Sequence, residues 1–357
     1  MVDCQAGGPC HRGHPPVNER DGDPLDLQAI GAFLAEQGVP VAGPLSARLI
    51  DGGRSNLTFV VSDARTRWVV RRPPTGGMTP SAHDVAREFR VTRALEQTGV
   101  PVARTIALCE DPAVIGATFT VVEFVQGTSI RSQAQLEGLS TVAVDACVTG
   151  LVSAFAALHR VDYERIGLER FGRPWGYAAR QLRRWAGQWD IVSTGSSDLA
   201  ERLSLRLADT IPEQRHSSIV HGDFRIDNTL LAEDDPGVVR AIVDWELSTI
   251  GDPVADVAMM CAYRHPGLNL VLGTSAAWTS GRLPSPDDLA ARYEATAEIR
   301  LDNWDFYMGL AYYKLAVIAE GINHRYRAGA TIGEGFDTAG DSVTSYLEAG
   351  LAHATVS

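Results

Sequence analysis

The stretch His221-Gly222-Asp223-Phe224-Arg225-Ile226-Asp227-Asn228, followed downstream by Ala241-Ile242-Val243-Asp244-Trp245-Glu246, decides how this chain is read. The first segment lies between apolar Ile219-Val220 and Thr229-Leu230-Leu231, and the second closes another apolar run. A carboxylate, an amide five positions later and a second carboxylate after a strand form the donor set that phosphoryl transfer requires. Asp223 suits the attacking hydroxyl, while the oxygens of Asn228 and Asp244 are hard ligands suited to magnesium. Either Asp alone would read as an ordinary turn or cap residue. The ordered set points to chemistry.

Working outward, the first third of the chain alternates like a sheet. Leu45 to Leu49, Leu57 to Val61 and Trp68 to Val70 read as a strand meander, and Thr118 to Val125 as a buried strand. Between them His83 to Gln97 is helical, with Val85, Phe89, Thr92 and Leu95 on one face. An earlier helix covers Leu25 to Leu34, with Asp23 as its cap and Pro24 at its first position. The remainder has helical periodicity over Val142–His159, Tyr177–Trp189, Leu199–Ala208 and Asp302–Arg325, interrupted by the short apolar runs Ser218–Val220 and Val238–Val243. The class is therefore α+β: a small lobe with an antiparallel sheet (25–125) joined to a larger, mostly helical lobe (126–350). Residues 1–24 read as a disordered leader, and Glu123 to Thr128 as the linker between lobes.

These motifs resemble those of the aminoglycoside phosphotransferase family, a branch of the protein-kinase-like fold. Protein kinases carry HRDxxxxN and DFG at the two places; here Gly222 follows the His, and Trp245-Glu246 follows the second Asp. The resemblance implies an ATP-dependent transfer to an alcohol group, with Asp223 as catalytic base and Asn228 and Asp244 as Mg2+ ligands. It implies a structural role for Asp256, hydrogen-bonded to the catalytic-loop backbone, and leaves Asp252 as a turn residue. Arg225 matches a phosphate-contacting Lys, with an ion pair to Asp227 or Glu246 as its other fate. Gly52, Gly53, Ser55 and Asn56 occupy the place of a phosphate-covering turn, where glycines admit close backbone approach; the same dipeptide also marks plain hairpins. Arg71 or Arg72 stands where a kinase has its phosphate-holding Lys, with Glu88 as partner; Arg71 is favoured because Arg72 abuts Pro73. The backbone of Glu123-Phe124-Val125 falls where a hinge meets the adenine edge.

Two further segments, Gly176 to Trp185 and Tyr313 to Tyr326, resemble the kinase-like domain fused to acyl-CoA dehydrogenases in animals and its free-standing bacterial relatives. This implies a small-molecule acceptor, a hydroxyl on a CoA thioester such as a 4-hydroxyacyl-CoA. Arg180, Arg183, Arg184, Lys314, Arg325 and Arg327 gather in these segments, as CoA phosphates would require, although Arg183 and Arg184 also suit a solvated helix face. Tyr312, Tyr313, Leu315 and Ile318 have the spacing of core packing. Two alternatives stand beside this reading. One is an aminoglycoside or other amine or sugar kinase, which would want a carboxylate-lined cleft; the other is a non-catalytic nucleotide-binding regulator, kept open by Arg in place of Lys.

Bulk properties narrow the classes. A formal net charge of −12 disfavours nucleic acid as a partner. The 357 residues, 45% hydrophobic and 21% charged, are enough for a sizeable core, and no run of apolar residues matches a membrane span. The polar N-terminus lacks a signal-peptide core and the odd number of cysteines suits a reducing compartment, so the expected location is cytoplasmic. Cys4, Cys10, His11 and His14 match no common zinc spacing.

Overall fold

The computed structural model describes residues 25–50, 56–73, 84–194, 198–330 and 335–354. Helix α1 (Leu27–Glu36) starts at Asp26, whose carboxylate accepts from the Ala29 N–H. The cap is thus Asp26; Asp23 and Pro24 lie outside the described residues. Five strands follow: β1 (Ser46–Leu49), β2 (Leu57–Ser62), β3 (Arg67–Arg72), β4 (Thr105–Cys109) and β5 (Phe119–Glu123). They form one antiparallel sheet in the order β1-β2-β3-β5-β4.

Strand alternation gives this sheet two faces. Phe59, Val61, Trp68, Val70, Phe119 and Val121 pack under Ile30, Phe33 and Leu34 of α1 as a small core, with the Phe33 and Phe119 rings edge-on at 5.1 Å. The opposite face carries Thr58, Arg71 and Thr120 in one row and Val60, Val69 and Val122 in the next. Helix α2 (Val85–Leu95) lies toward that second face. Its Val91 and Leu95 nevertheless belong to the large core of the helical part, so the helix bearing Glu88 is anchored across the lobe boundary.

The helical part comprises α3 (Gln133–Glu137), α4 (Thr141–His159), α5 (Tyr177–Val192), α6 (Asp198–Asp209), α7 (Pro253–Ala262), α8 (Gly267–Leu272), α9 (Pro286–Ala297), α10 (Trp304–Arg327) and α11 (Val343–His353). Helix α4 is long and apolar enough to cross a membrane, but half of it is buried inside the protein. Its Val144, Leu151, Phe155 and Leu158 face the large core as their spacing predicts. All ten residues of α7 are buried. A helix buried all round has no amphipathic stripe, which is why periodicity does not mark it. On α10, Tyr312, Tyr313 and Leu315 are core residues.

Two short antiparallel pairs position the chemistry. Strands β6 (Ser218–Val220) and β9 (Thr249–Gly251) form one, and β7 (Thr229–Leu231) and β8 (Val239–Ile242) the other. The His221–Asn228 loop connects β6 to β7, and the Val243–Ser248 loop connects β8 to β9. The linker reaches them directly, because Thr128 bridges to Leu231. A Cβ on Gly127 would come 2.8 Å from the Leu231 carbonyl oxygen, so this crossing admits only glycine.

Candidate active site

Most of the first loop is buried, with Asp223 and Asp227 its half-buried positions. His221, Phe224 and Ile226 are buried, and Phe224 stacks on Phe155 of α4 with centroids 4.1 Å apart. Losing such a buried ring typically costs about 3–5 kcal/mol. Gly222 has φ +84, and a Cβ there would lie 2.9 Å from both Cβ and O of Leu247. That explains glycine after the His.

Asp256 holds the loop from below. Its carboxylate accepts from the backbone N–H of His221 (2.6 Å) and of Gly222 (2.8 Å), and from His159 Nε2 (3.2 Å). Burial pushes its pKa up, but the hydrogen bond from His159 and the Gly222 amide are among the contacts that hold it below the ordinary value. The His221 ring links the two loops. Its Nδ1 faces the Asp223 N–H (3.3 Å) and must accept, so Nε2 carries the proton and donates to the Val243 carbonyl (3.0 Å). The Val243 N–H in turn donates to the Asn228 carbonyl at 2.9 Å.

Asp223, Asn228 and Asp244 are thereby brought together at one cleft. Asn228 Nδ2 donates to Asp223 Oδ2 (2.9 Å) and to the Asp223 carbonyl (2.8 Å), so Oδ1 is the amide's acceptor atom. Asp244 sits at φ +67 in the left-handed region, a conformation uncommon for non-glycine residues that aims its carboxylate out of the loop. Arg225 takes the second of its two fates. Its guanidinium is forked onto Asp227 (3.1 and 3.0 Å), reaches Asp223 at 3.4 Å and lies 4.7 Å over the Tyr263 ring. It braces the base from the side.

Arg71 approaches from the small sheet. Its Nη1 is 3.3 Å from Glu88, and Nη2 is 2.8 Å from Asp244 and 3.9 Å from Glu246. Strand register, rather than the neighbouring proline, selects Arg71 over Arg72: Arg72 shares the α1 face with Trp68 and Val70, and Arg71 the cleft face. One guanidinium therefore serves three carboxylates. Burial pushes the Glu88 pKa up to about 8, with Asp244 and Glu246 adding to the rise and Arg71 opposing it. Asn56 requires a correction. It is 2% exposed with Nδ2 donating to Glu88 (3.1 Å), so it braces that carboxylate rather than facing a phosphate. Gly52, Gly53 and Ser55 lie outside the described residues, as do Cys4, Cys10, His11 and His14.

This donor set fits a magnesium–nucleotide. Among the described residues no three His, Cys, Asp or Glu side chains cluster as a metal cage. Magnesium needs only one or two carboxylates when phosphates and water complete its shell. Arg71 Nε, buried and without a hydrogen-bond partner, remains as a donor for a phosphate oxygen. At the hinge, the Phe124 N–H donates to Arg67 and the Glu123 side chain pairs with Arg104, while the Val125 N–H bonds to no described residue.

Residues 46–293 match the model of the phosphotransferase enzyme family, well over half of the chain. The chain belongs to this family. Among solved phosphotransferase structures, a Ralstonia eutropha protein assigned to the aminoglycoside phosphotransferases is 32% identical, with a TM-score of 0.80 over 93% of this chain and 98% of that one. The aminoglycoside phosphotransferase APH(4)-Ia, solved with AMP-PNP and hygromycin B, shares the fold at 16% identity and a TM-score of 0.59, covering 91% of this chain and 97% of that one. Curated relatives include acyl-CoA dehydrogenase family member 10 of Mus musculus, 35% identical over 90% of this chain and 31% of its own length. Family member 11 of Homo sapiens is 33% identical over 92% of this chain and 43% of its length. The chain thus spans less than half of these relatives. The sequence motifs bring Asp223, Asn228 and Asp244 onto adjacent loops, but they miss His159 and Tyr263. No local motif marks these two, which reach the catalytic loop region from α4 and from the end of α7.

Proposed function

We propose that the chain is an ATP-dependent, magnesium-assisted kinase that phosphorylates a hydroxyl of a hydroxyacyl-CoA. One observation carries this reading: Asn228 locks Asp223 at 2.9 Å while its own carbonyl holds Val243, next to Asp244. The small lobe (25–125) would take the nucleotide, with adenine on the Val60, Val69 and Val122 face and its edge at the Glu123–Val125 backbone. Arg71, held by Glu88, would meet the phosphates. Asn228 Oδ1 and Asp244 would hold Mg2+, which neutralises phosphate charge when bound. In the large lobe (126–350) Asp223 accepts the acceptor's proton as its oxygen bonds to the γ-phosphorus and the bond to ADP breaks.

The acyl-CoA assignment draws on the curated relatives named above and on charge. Arg184 lies close enough to Lys314 to lower its pKa, and Lys314 reaches the catalytic loop, so a polycationic aminoglycoside would meet like charge there. Arg325 and Arg327 stand apart: eleven residues separate Lys314 from Arg325, about 16 Å along α10. The test is ADP release and ³¹P detection of product with Mg-ATP and a panel of hydroxyacyl-CoA thioesters beside aminoglycosides. Turnover of thioesters that Asp223→Asn abolishes is expected; turnover of aminoglycosides alone would overturn the acceptor class.

A further inference from the structure

Lys314 has no part in the chemistry above, yet it is placed at the centre of it. The residue sits mid-way along α10, and its Nζ donates to the Gly222 carbonyl at 3.3 Å, beside the catalytic base. An ammonium has three N–H donors, and this is the single hydrogen bond it makes to a described residue. The Trp185 ring lies 5.6 Å from the charge. Burial lowers the ammonium's pKa, and Arg184 adds to that, while Asp223 and Asp256 support the charge from a distance. A half-buried cation with spare donors and, among the described residues, no carboxylate in direct contact is well placed to pair with an oxygen brought by a ligand.

The space beside it matches that need. Tyr177, Trp185, Met259, Tyr307, Leu310 and Lys314 line a cavity of about 20 Å³ between α5, α7 and α10. That volume holds one group the size of an oxygen or a methyl. Lys314 is the cation among its lining residues, and its ammonium reaches from there to the loop that carries Asp223.

We infer that Lys314 is an acceptor-recognition residue, whose ammonium donates to a second oxygen of the acceptor, a carbonyl or carboxylate a few bonds from the hydroxyl held by Asp223. This rests on the kinase function proposed above and narrows it to acceptors that combine a hydroxyl with an acyl oxygen. An acceptor presenting an ammonium at this point would meet the like charge of Lys314, with Arg184 adding to the repulsion from the exposed side of α5.

Calorimetric binding without nucleotide tests the assignment, using 4-hydroxyoctanoyl-pantetheine and the thioether analogue in which CH2 replaces the thioester carbonyl. Pantetheine omits the CoA phosphates, so arginines elsewhere do not enter the comparison. Wild type is expected to prefer the carbonyl probe by about tenfold or more, as for a hydrogen bond to a charged group. Lys314→Met should bind the two probes equally, and Lys314→Arg should keep part of the preference. Thermal stabilisation by Mg-ATP reports whether the catalytic loop of each variant is intact. Equal binding of both probes by wild type would overturn the proposal, and that comparison needs no variant to fold. A preference that survives in Lys314→Met, or failure of both probes to bind wild type, would overturn it too. Since no phosphoryl transfer is read, absent turnover would count against the proposed function and leave this result standing.

Discussion

Asp256 and Glu88 are both buried carboxylates beside the same cleft, and they are held in opposite ways. Asp256 collects two backbone N–H groups and a histidine, and stays below its ordinary pKa despite burial. Glu88 shares one guanidinium with Asp244 and Glu246 and is raised to about 8. The first is a completed structural joint. The second is a carboxylate whose burial outweighs the guanidinium beside it. The two show that the same degree of burial lowers or raises a carboxyl's pKa according to how many donors reach it.

The largest effect that separates scaffold from chemistry is expected at Asp223. Asp223→Ala should lower kcat by about 10²–10⁴-fold, the usual worth of a positioned base, with little change in Tm. A comparable loss of stability would mean that Asp223 belongs to the scaffold with Asp256.

Asp256→Asn should come next, costing about 3 kcal/mol in urea unfolding, because one amide cannot accept from both loop N–H groups. The sign of its pH dependence follows from the lowered pKa. The carboxylate's contribution is present above the unfolded-state value near 3.9 and is lost as pH falls through the folded value. The gap between wild type and variant should therefore narrow in acid.

Glu88 should behave inversely. Its folded pKa is raised, so the native state binds the proton more tightly than the unfolded chain between about pH 4.5 and 8. Stability of the nucleotide-free protein should fall as pH rises through that window, and Glu88→Gln should remove this slope while weakening Mg-ATP binding. An unchanged slope would break the contrast. The smallest effect is expected for Asn56→Ala, about 1 kcal/mol for one side-chain hydrogen bond to Glu88.

Much of this was legible from residue order. The turn-and-strand context of His221–Asn228 and Asp244 located the loops, since donor types at those spacings have few other uses. Arg71 and Glu88 were legible as a pair, although the proline argument reached Arg71 by a weaker route than strand register. The strand Thr105–Cys109 escaped because its half-buried positions, Ile106 and Leu108, are as apolar as its buried ones and leave no polar alternation to read, and α7 escaped because it is buried on every side. Asn56 was misjudged because a sequence position cannot reveal which way a side chain turns.

The sequence alone determined the two lobes, the family and the candidate set Asp223, Asn228 and Asp244, because these depend on residue type at fixed local spacing. Only the tertiary structure decided that His159 supports Asp256, that Arg225 braces the base and that Lys314 reaches Gly222. The first contact joins two helices, the last joins a helix to a loop remote in the chain, and the Arg225 contact depends on how a loop turns its side chains. Packing of the whole core sets them.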